Sequence, residues 1–382
     1  MSDAVPPTGR RYFPELESLR GIAILLVVVF HAYHFRAFAG YEPAPLPLFV
    51  GGGHTGVSLF FVLSAFLLVR PYLVEAAGGR PVDRRRFLAR RWLRIVPLYA
   101  GFVAAAVLFS PGGSTVDRLW PALTSLLFFH QGDYALFPFS TPWWSLVTEA
   151  QFYLALPILS LACRGPRGRA VFLVGVALYA AVYLVLVTVE LPPAIRPGGR
   201  FWHSFPGRGP VFLFGVAAAW LHLRHGEAWE RRVAASGRGV RLAFDAAVVL
   251  GIAALGGLLH RIAPIPYFEL EVVAPYWHVP EGLVWSALLL VAVVGRFHLR
   301  PLFVNPLLHR LGVVSYSLYL WHCPVLFFGM SWIERVAPGV FADDAPTRLP
   351  LFAALIAAAW ALSELTYRFV EAPVLRKKDT IR

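Results

Sequence analysis

Arg20 and His31 stand eleven positions apart, at the two ends of an apolar run, in LRGIAILLVVVFHAYHF. On a helix they are separated by roughly 16 Å along the axis, about half the hydrocarbon thickness of a bilayer. Arg20 then sits at one membrane face and His31 inside the bilayer, where an ionisable side chain is costly and marks function by default. Imidazole titrates near pH ~6.5 in water. A neutral ring can take a proton from a hydroxyl or act itself as a nucleophile. Glu149, in WWSLVTEAQFYLALP, is a second ionisable group in an apolar segment. A lone carboxylate there must be paired, protonated or facing water. Ser145 lies four residues before it on the same helical face, and Gln151 on a neighbouring one. His322 lies in SYSLYLWHCPVL, behind Ser315, Tyr316, Ser317 and Tyr319. Such side chains either join helices in lipid or face a substrate. His31 and Glu149 are the candidates for chemistry, and Ser145, Tyr316 and His322 for contact with an acceptor. His34, one turn past His31, offers a second imidazole, but the spacing supplies no third ligand and no metal is expected.

Arginine brings a second kind of chemistry. RRRFLARRWLRIVPLY (84–99) holds six arginines, of which Arg90, Arg91 and Arg94 enter an apolar segment. The guanidinium fork binds phosphate oxygens in pairs. Arg91 and Arg94, three apart, share a helical face and can grip the phosphates of a nucleotide-like donor. Anchoring to anionic lipid is the alternative, and it suits Arg80, Arg84 and Arg85, which lie farther from the helix. Arg20 can hold a donor phosphate or pair with Glu17. Glu371, in LSELTYRFVEAPVL, is expected to pair locally with Arg368 or Arg376.

These residues need a scaffold that places them at membrane depth. Of the 382 residues 58% are hydrophobic and only 15% charged, against roughly 25% charged in soluble domains. That composition indicates a polytopic membrane protein. Apolar runs near 20–37, 56–73, 92–110, 143–163, 170–190, 210–223, 242–259, 281–298, 311–333 and 350–370 predict an all-α bundle of about ten transmembrane helices. LWPALTSLLFFH (119–130) is too short to cross and is expected to be re-entrant or interfacial. With it left out, 27 of the 35 Lys and Arg fall on one side. The positive-inside rule makes that side cytoplasmic, with both termini on it. One membrane domain is expected to fill residues 1–382, with flexible tails at 1–15 and 374–382. The first run leads into AYHFRAF without a small-residue cleavage site and is expected to be retained.

The outer loops 111–142, with Pro111, Gly112, Gly113, His130, Asp133 and Tyr134, and 260–280 are candidate contacts for an acceptor. The net charge of +13 comes in short clusters between apolar runs, a topology pattern that argues against a nucleic-acid partner. Cys163 and Cys323 read as inert buried thiols. No internal repeat is evident, which weighs against the transporters built on paired repeats.

Six blocks of the chain resemble, in order, those of the acyltransferase-3 family of integral membrane acyltransferases. They are LESLRGIAILLVVVFH (16–31), GVSLFFVLSAFLL (56–68), FLARRWLRIVPLY (87–99), WSLVTEAQFYLALP (144–157), LGVVSYSLYLWHCPV (311–325) and YRFVEAPVL (367–375). Ala65 stands where the family usually has glycine, which leaves a tight backbone approach there an open question. Ala150 stands where a second acidic residue is common.

The resemblance implies ten helices in the plasma membrane and acyl-CoA, most simply acetyl-CoA, as co-substrate with no permanently bound cofactor. It implies as acceptor a hydroxyl on a carbohydrate, a cell-envelope glycan or a glycosylated natural product such as a macrolide. His31 matches the family's essential histidine, Arg20 its partner, and Arg91 and Arg94 its arginine pair. His31 either deprotonates the acceptor directly or first carries the acyl group as an acyl-imidazole, and Glu149 orients His31 or the acceptor. A proton-coupled transporter, or a non-catalytic partner in export of a modified glycan, is the competing reading. The oligomeric state and the identity of the acceptor stay open.

Overall fold

The computed structural model describes residues 13–35, 46–109, 114–128, 139–192, 196–263, 265, 269, 275–342 and 347–380, and among them there is no β-strand. Residues 1–12 of the expected N-terminal tail lie outside the described residues, as do Pro111, Gly112, Gly113, His130, Asp133 and Tyr134.

The helices are α1 (Pro14–His34), α2 (Leu46–Gly51), α3 (Thr55–Ala76), α4 (Arg84–Phe109), α5 (Thr115–Leu126), α6 (Trp144–Ala162), α7 (Gly165–Thr188), α8 (Gly199–Trp202), α9 (Gly209–Ala235), α10 (Arg238–Ile262), α11 (His278–Val294), α12 (Pro306–Val313), α13 (Ser315–Val336), α14 (Arg348–Thr366) and α15 (Ala372–Thr380). A π-helical turn, Tyr367–Glu371, joins α14 to α15.

Among the described residues eight helices are long and apolar enough to cross a membrane, and nine if α12 and α13, which meet at a 65° bend, count with the preceding turn as one broken span. The protein is therefore an all-helical, multi-pass membrane protein. The expected span at 210–223 is helical, but it belongs to the 27-residue α9, whose second half carries Arg224, Glu227, Glu230, Arg231 and Arg232. Its apolar part ends at Arg224 after fifteen residues, and α9 is not among the helices long and apolar enough to cross. Residues 119–126 lie in the short α5, whose start is closed by Ser114 and Asp117 in a capping box, a reciprocal arrangement that satisfies two otherwise orphaned N–H groups; His130 lies outside the described residues.

The chain divides into two compact units of interleaved segments. The first comprises residues up to Leu19, Ser58–Arg84 and Gln151–His309. Its core stacks Phe61 on Phe212 and Phe212 on Phe152, with ring centroids 4.7 and 4.5 Å apart. Small residues let its backbones approach, as in other membrane helix pairs. A Cβ at Gly215 of α9 would come within 2.6 Å of the Val62 carbonyl oxygen and 2.7 Å of the Ala65 Cβ. The close approach left open at Ala65 is thus present, with the glycine supplied by α9. Arg84, expected to face lipid, instead pairs with Glu75 at 2.8 Å and donates to the Ser160 hydroxyl at 3.2 Å.

The second unit comprises Arg20–Val57, Arg85–Ala150 and Arg310–Arg382. It holds most of α1, and α1 is pinned by glycine. A Cβ at Gly53 would meet the Leu26 carbonyl oxygen at 2.2 Å, and one at Gly56 the Ala23 carbonyl oxygen at 2.3 Å. Helices α13 and α14 pack along each other, and Leu326, Phe352, Leu355 and Ala32 form a buried cluster within this unit.

Candidate functional site

Each histidine of α1 and α13 near the site is held by its own helix. His31 Nδ1 lies 2.8 Å from the Val27 carbonyl oxygen, and His322 Nδ1 lies 3.1 Å from that of Leu318. A carbonyl can only accept, so both Nδ1 atoms carry hydrogen when the rings are neutral, the tautomer being assigned from the network. His322 Nε2 then presents a lone pair, 3.3 Å from His31 Nδ1. The His31 Nδ1–H is shared between Val27 and His322, and the second nitrogen of His31, Nε2, keeps its lone pair. The rings meet edge to face with centroids 4.9 Å apart. His322 is fully buried, while His31 is half-buried. The arrangement orients one imidazole with another and leaves a base on the oriented ring. His34 turns back to the Phe30 carbonyl oxygen at 2.9 Å.

A second cluster lies at the other end of α1. Glu371, at the end of the π-helical turn, is buried and accepts a 2.8 Å hydrogen bond from the Ser317 hydroxyl. The charges of Arg94 and Arg20 act on it. The expected local partners of Glu371, Arg368 and Arg376, are replaced by groups from α1, α4 and α13. A π-turn adds a residue to the helix and re-aims the side chains that follow it, which is why such turns gather at functional sites. Arg91 shares the α4 face with Arg94, and its guanidinium lies over the Phe87 ring at 6.0 Å.

The expected acceptor contacts divide. His322 stands beside His31. Ser145 Oγ lies 2.6 Å from the Tyr319 hydroxyl, which itself donates to the Pro142 carbonyl, so Ser145 donates to Tyr319. The Tyr316 hydroxyl donates to the Ile95 carbonyl oxygen at 2.6 Å. These two hydroxyls tie α13 to α4 and to the start of α6. Glu149 sits half-buried on α6, one residue before the fully buried Ala150.

Sequence reasoning missed a third cluster, within the first unit. Glu281 and His278 of α11 are fully buried, and Arg208, next to α9, is almost so. The Ser58 hydroxyl donates to Glu281 at 2.6 Å. Arg208 stacks on the Trp277 ring at 5.2 Å, and Tyr183 lies 3.3 Å from His278 Nδ1. The signal was present in WHVPEGLVW, where a histidine and a glutamate three apart open an apolar run.

The profile of the acyltransferase-3 family, an acyltransferase domain, matches residues 13–367. The chain belongs to the acyltransferase-3 family. Peptidoglycan O-acetyltransferase OatA of Listeria monocytogenes is 25% identical over 96% of the chain, which spans 56% of that relative's length. Acyltransferase MdmB of Streptomyces mycarofaciens is 29% identical over 97% of the chain and 94% of its own length. The membrane-bound transacylase BcsY of Komagataeibacter xylinus, so named provisionally, is 28% identical over 85% of the chain and 74% of its own length. The chain thus spans little more than half of the Listeria relative and nearly all of the Streptomyces one. No solved structure matches this acyltransferase-3 chain.

Proposed function

We propose that this protein is a plasma-membrane O-acyltransferase that moves an acyl group, acetyl in the first instance, from cytoplasmic acyl-CoA to a hydroxyl of a carbohydrate or glycosylated acceptor. The observation that carries this reading is the His31–His322 contact at 3.3 Å, with both rings anchored through Nδ1. A thioester carbonyl is already electrophilic, whereas a sugar hydroxyl is a poor nucleophile at neutral pH, so the reaction needs a positioned base. His31 Nε2 has the free lone pair to take the hydroxyl proton as the oxygen attacks. The tetrahedral intermediate expels CoA as a thiolate, which takes the proton back from His31. In the alternative route Nε2 attacks the thioester first, and the acyl-imidazole then meets the acceptor.

Arg20, Arg91 and Arg94 are the groups we assign to the donor's phosphates. Glu371 holds Arg20 and Arg94 in place by opposite charge, and Glu149 is assigned to orient the acceptor. The names of the Listeria and Streptomyces relatives support acyl transfer. The test is transfer of label from radioactive acetyl-CoA into extractable material, in membranes holding equal amounts of wild type or His31→Ala. Label incorporated by wild type and lost in the variant is the expected result. Equal labelling in both would remove His31 from the reaction, and solute-dependent flux without CoA would favour the transporter.

A further inference from the structure

We propose that His31, His322 and Cys323 form a binding site for a soft monovalent metal ion, Cu(I), and that its occupation switches the enzyme off. One ligand atom from each of the three residues falls within a common 4.8 Å sphere of mutual distances. His31 and His322 present nitrogens 3.3 Å apart. Two nitrogens each about 2.0 Å from a metal, at trigonal or tetrahedral angles, lie about 3.4 Å apart, so the pair is already at the spacing of two ligands. His322 gives its remaining N–H to the Leu318 carbonyl at 3.1 Å, the outer hydrogen bond that metal-ligating histidines make.

The donor set and burial select the ion. Two imidazoles and a thiolate suit copper and zinc. His322 is fully buried and Cys323 almost so, and uncompensated charge is expensive there. Cu(I) with one thiolate is electrically neutral, whereas Zn(II) with the same ligands keeps a positive charge. Cu(I) is also content with three ligands, while zinc takes four. Binding displaces one proton, from the Cys323 thiol to solvent, and forms the Cu–S bond without any change of oxidation state.

The consequence for activity rests on the role of His31 given above. A neutral imidazole has one lone pair. If His31 Nδ1 binds the ion, its proton moves to Nε2 and the ring turns from Val27; if Nε2 binds, that lone pair is used directly. In either case no lone pair remains to deprotonate a hydroxyl or to attack a thioester.

The experiment uses the full-length chain in detergent, titrated with Cu(I) under a reducing atmosphere against a colorimetric Cu(I) chelator, and with Ag(I) as a redox-silent substitute. One equivalent should bind tightly to wild type and to Cys163→Ser. Cys323→Ser should bind at least a hundredfold more weakly, and Zn(II) should compete poorly. Unchanged affinity in Cys323→Ser, no stoichiometric binding, or preference for Zn(II) would overturn the site. In acetyl transfer, one equivalent of Ag(I) should abolish wild-type activity and leave Cys323→Ser active. Tight binding with full wild-type activity would overturn the switch. The titration reads the site even if acetyl transfer fails, so the failure of the metal site and of the proposed reaction are separable.

Discussion

At the scale of residues, the two ends of α1 should respond differently to mutation. His31→Ala removes the base and should lower acyl transfer by 10²–10⁴-fold at unchanged protein yield, read by label incorporation. His322→Ala removes only the group that shares the His31 Nδ1–H, so it should lower kcat about tenfold, ~1.4 kcal/mol in the barrier, with KM little changed. Glu371→Gln keeps an acceptor for Ser317 but removes the charge facing Arg94 and Arg20. Its expected signature is a donor KM raised several-fold with kcat retained, measured by varying acetyl-CoA at saturating acceptor. A fall in yield without a KM change would make this carboxylate purely structural. Arg20, His31 and Arg94 were legible in the sequence because an ionisable group in an apolar run stands out. Their partners were not: Ser317 and Glu371 are 54 positions apart and His31 and His322 291 apart. Nothing local fixes such pairings, and a carboxylate near arginines reads locally until the chain is folded.

At the scale of elements, glycine decides whether α1 can carry its two ends at the right depth. Gly53 and Gly56 lie three apart and abut the Leu26 and Ala23 carbonyl oxygens at distances that no Cβ tolerates. Both contacts are to backbone, which cannot swing aside. Gly56→Val should therefore force α1 away, costing on the order of 1–3 kcal/mol in packing, and should lower both the melting temperature in detergent and the activity. Gly257→Ala is the control, because a Cβ there meets nothing within 4 Å; its added methyl should lower neither, since alanine is the better helix former. The helices themselves were readable because each is a long apolar run bounded by charge. The substitution at Ala65 left the packing open, because a close approach between two helices needs only one of them to be small. Here Gly215 fills that need from another part of the chain.

At the scale of the whole molecule, the parity of membrane crossings rests on α9. The nine apolar spans among the described residues would put the two termini on opposite sides. Counting α9 makes ten and brings them to the same side. The first part of α9, GPVFLFGVAAAWLHL, is only fifteen residues long, roughly 22 Å as a helix, short of the roughly 30 Å hydrocarbon core. Its buried residues include Gly209, Val211, Phe212, Gly215, Ala218 and Ala219. A span surrounded by protein does not need a lipid-facing apolar surface, so hydropathy understates it. From the arginines we expect ten crossings. Only with α9 crossing do the basic loops 224–241 and 296–310 join the basic segments near residues 84–94 and 164–169 on one face. Fusions should then show green fluorescence, which requires the cytoplasm, after residues 235 and 382. Alkaline phosphatase, which requires the outside, should be active when fused after residues 189 and 263. Fluorescence at 382 lost with phosphatase gained there would mean nine crossings. It would also move the arginines of the later loops outside, and with them the case for a cytoplasmic donor.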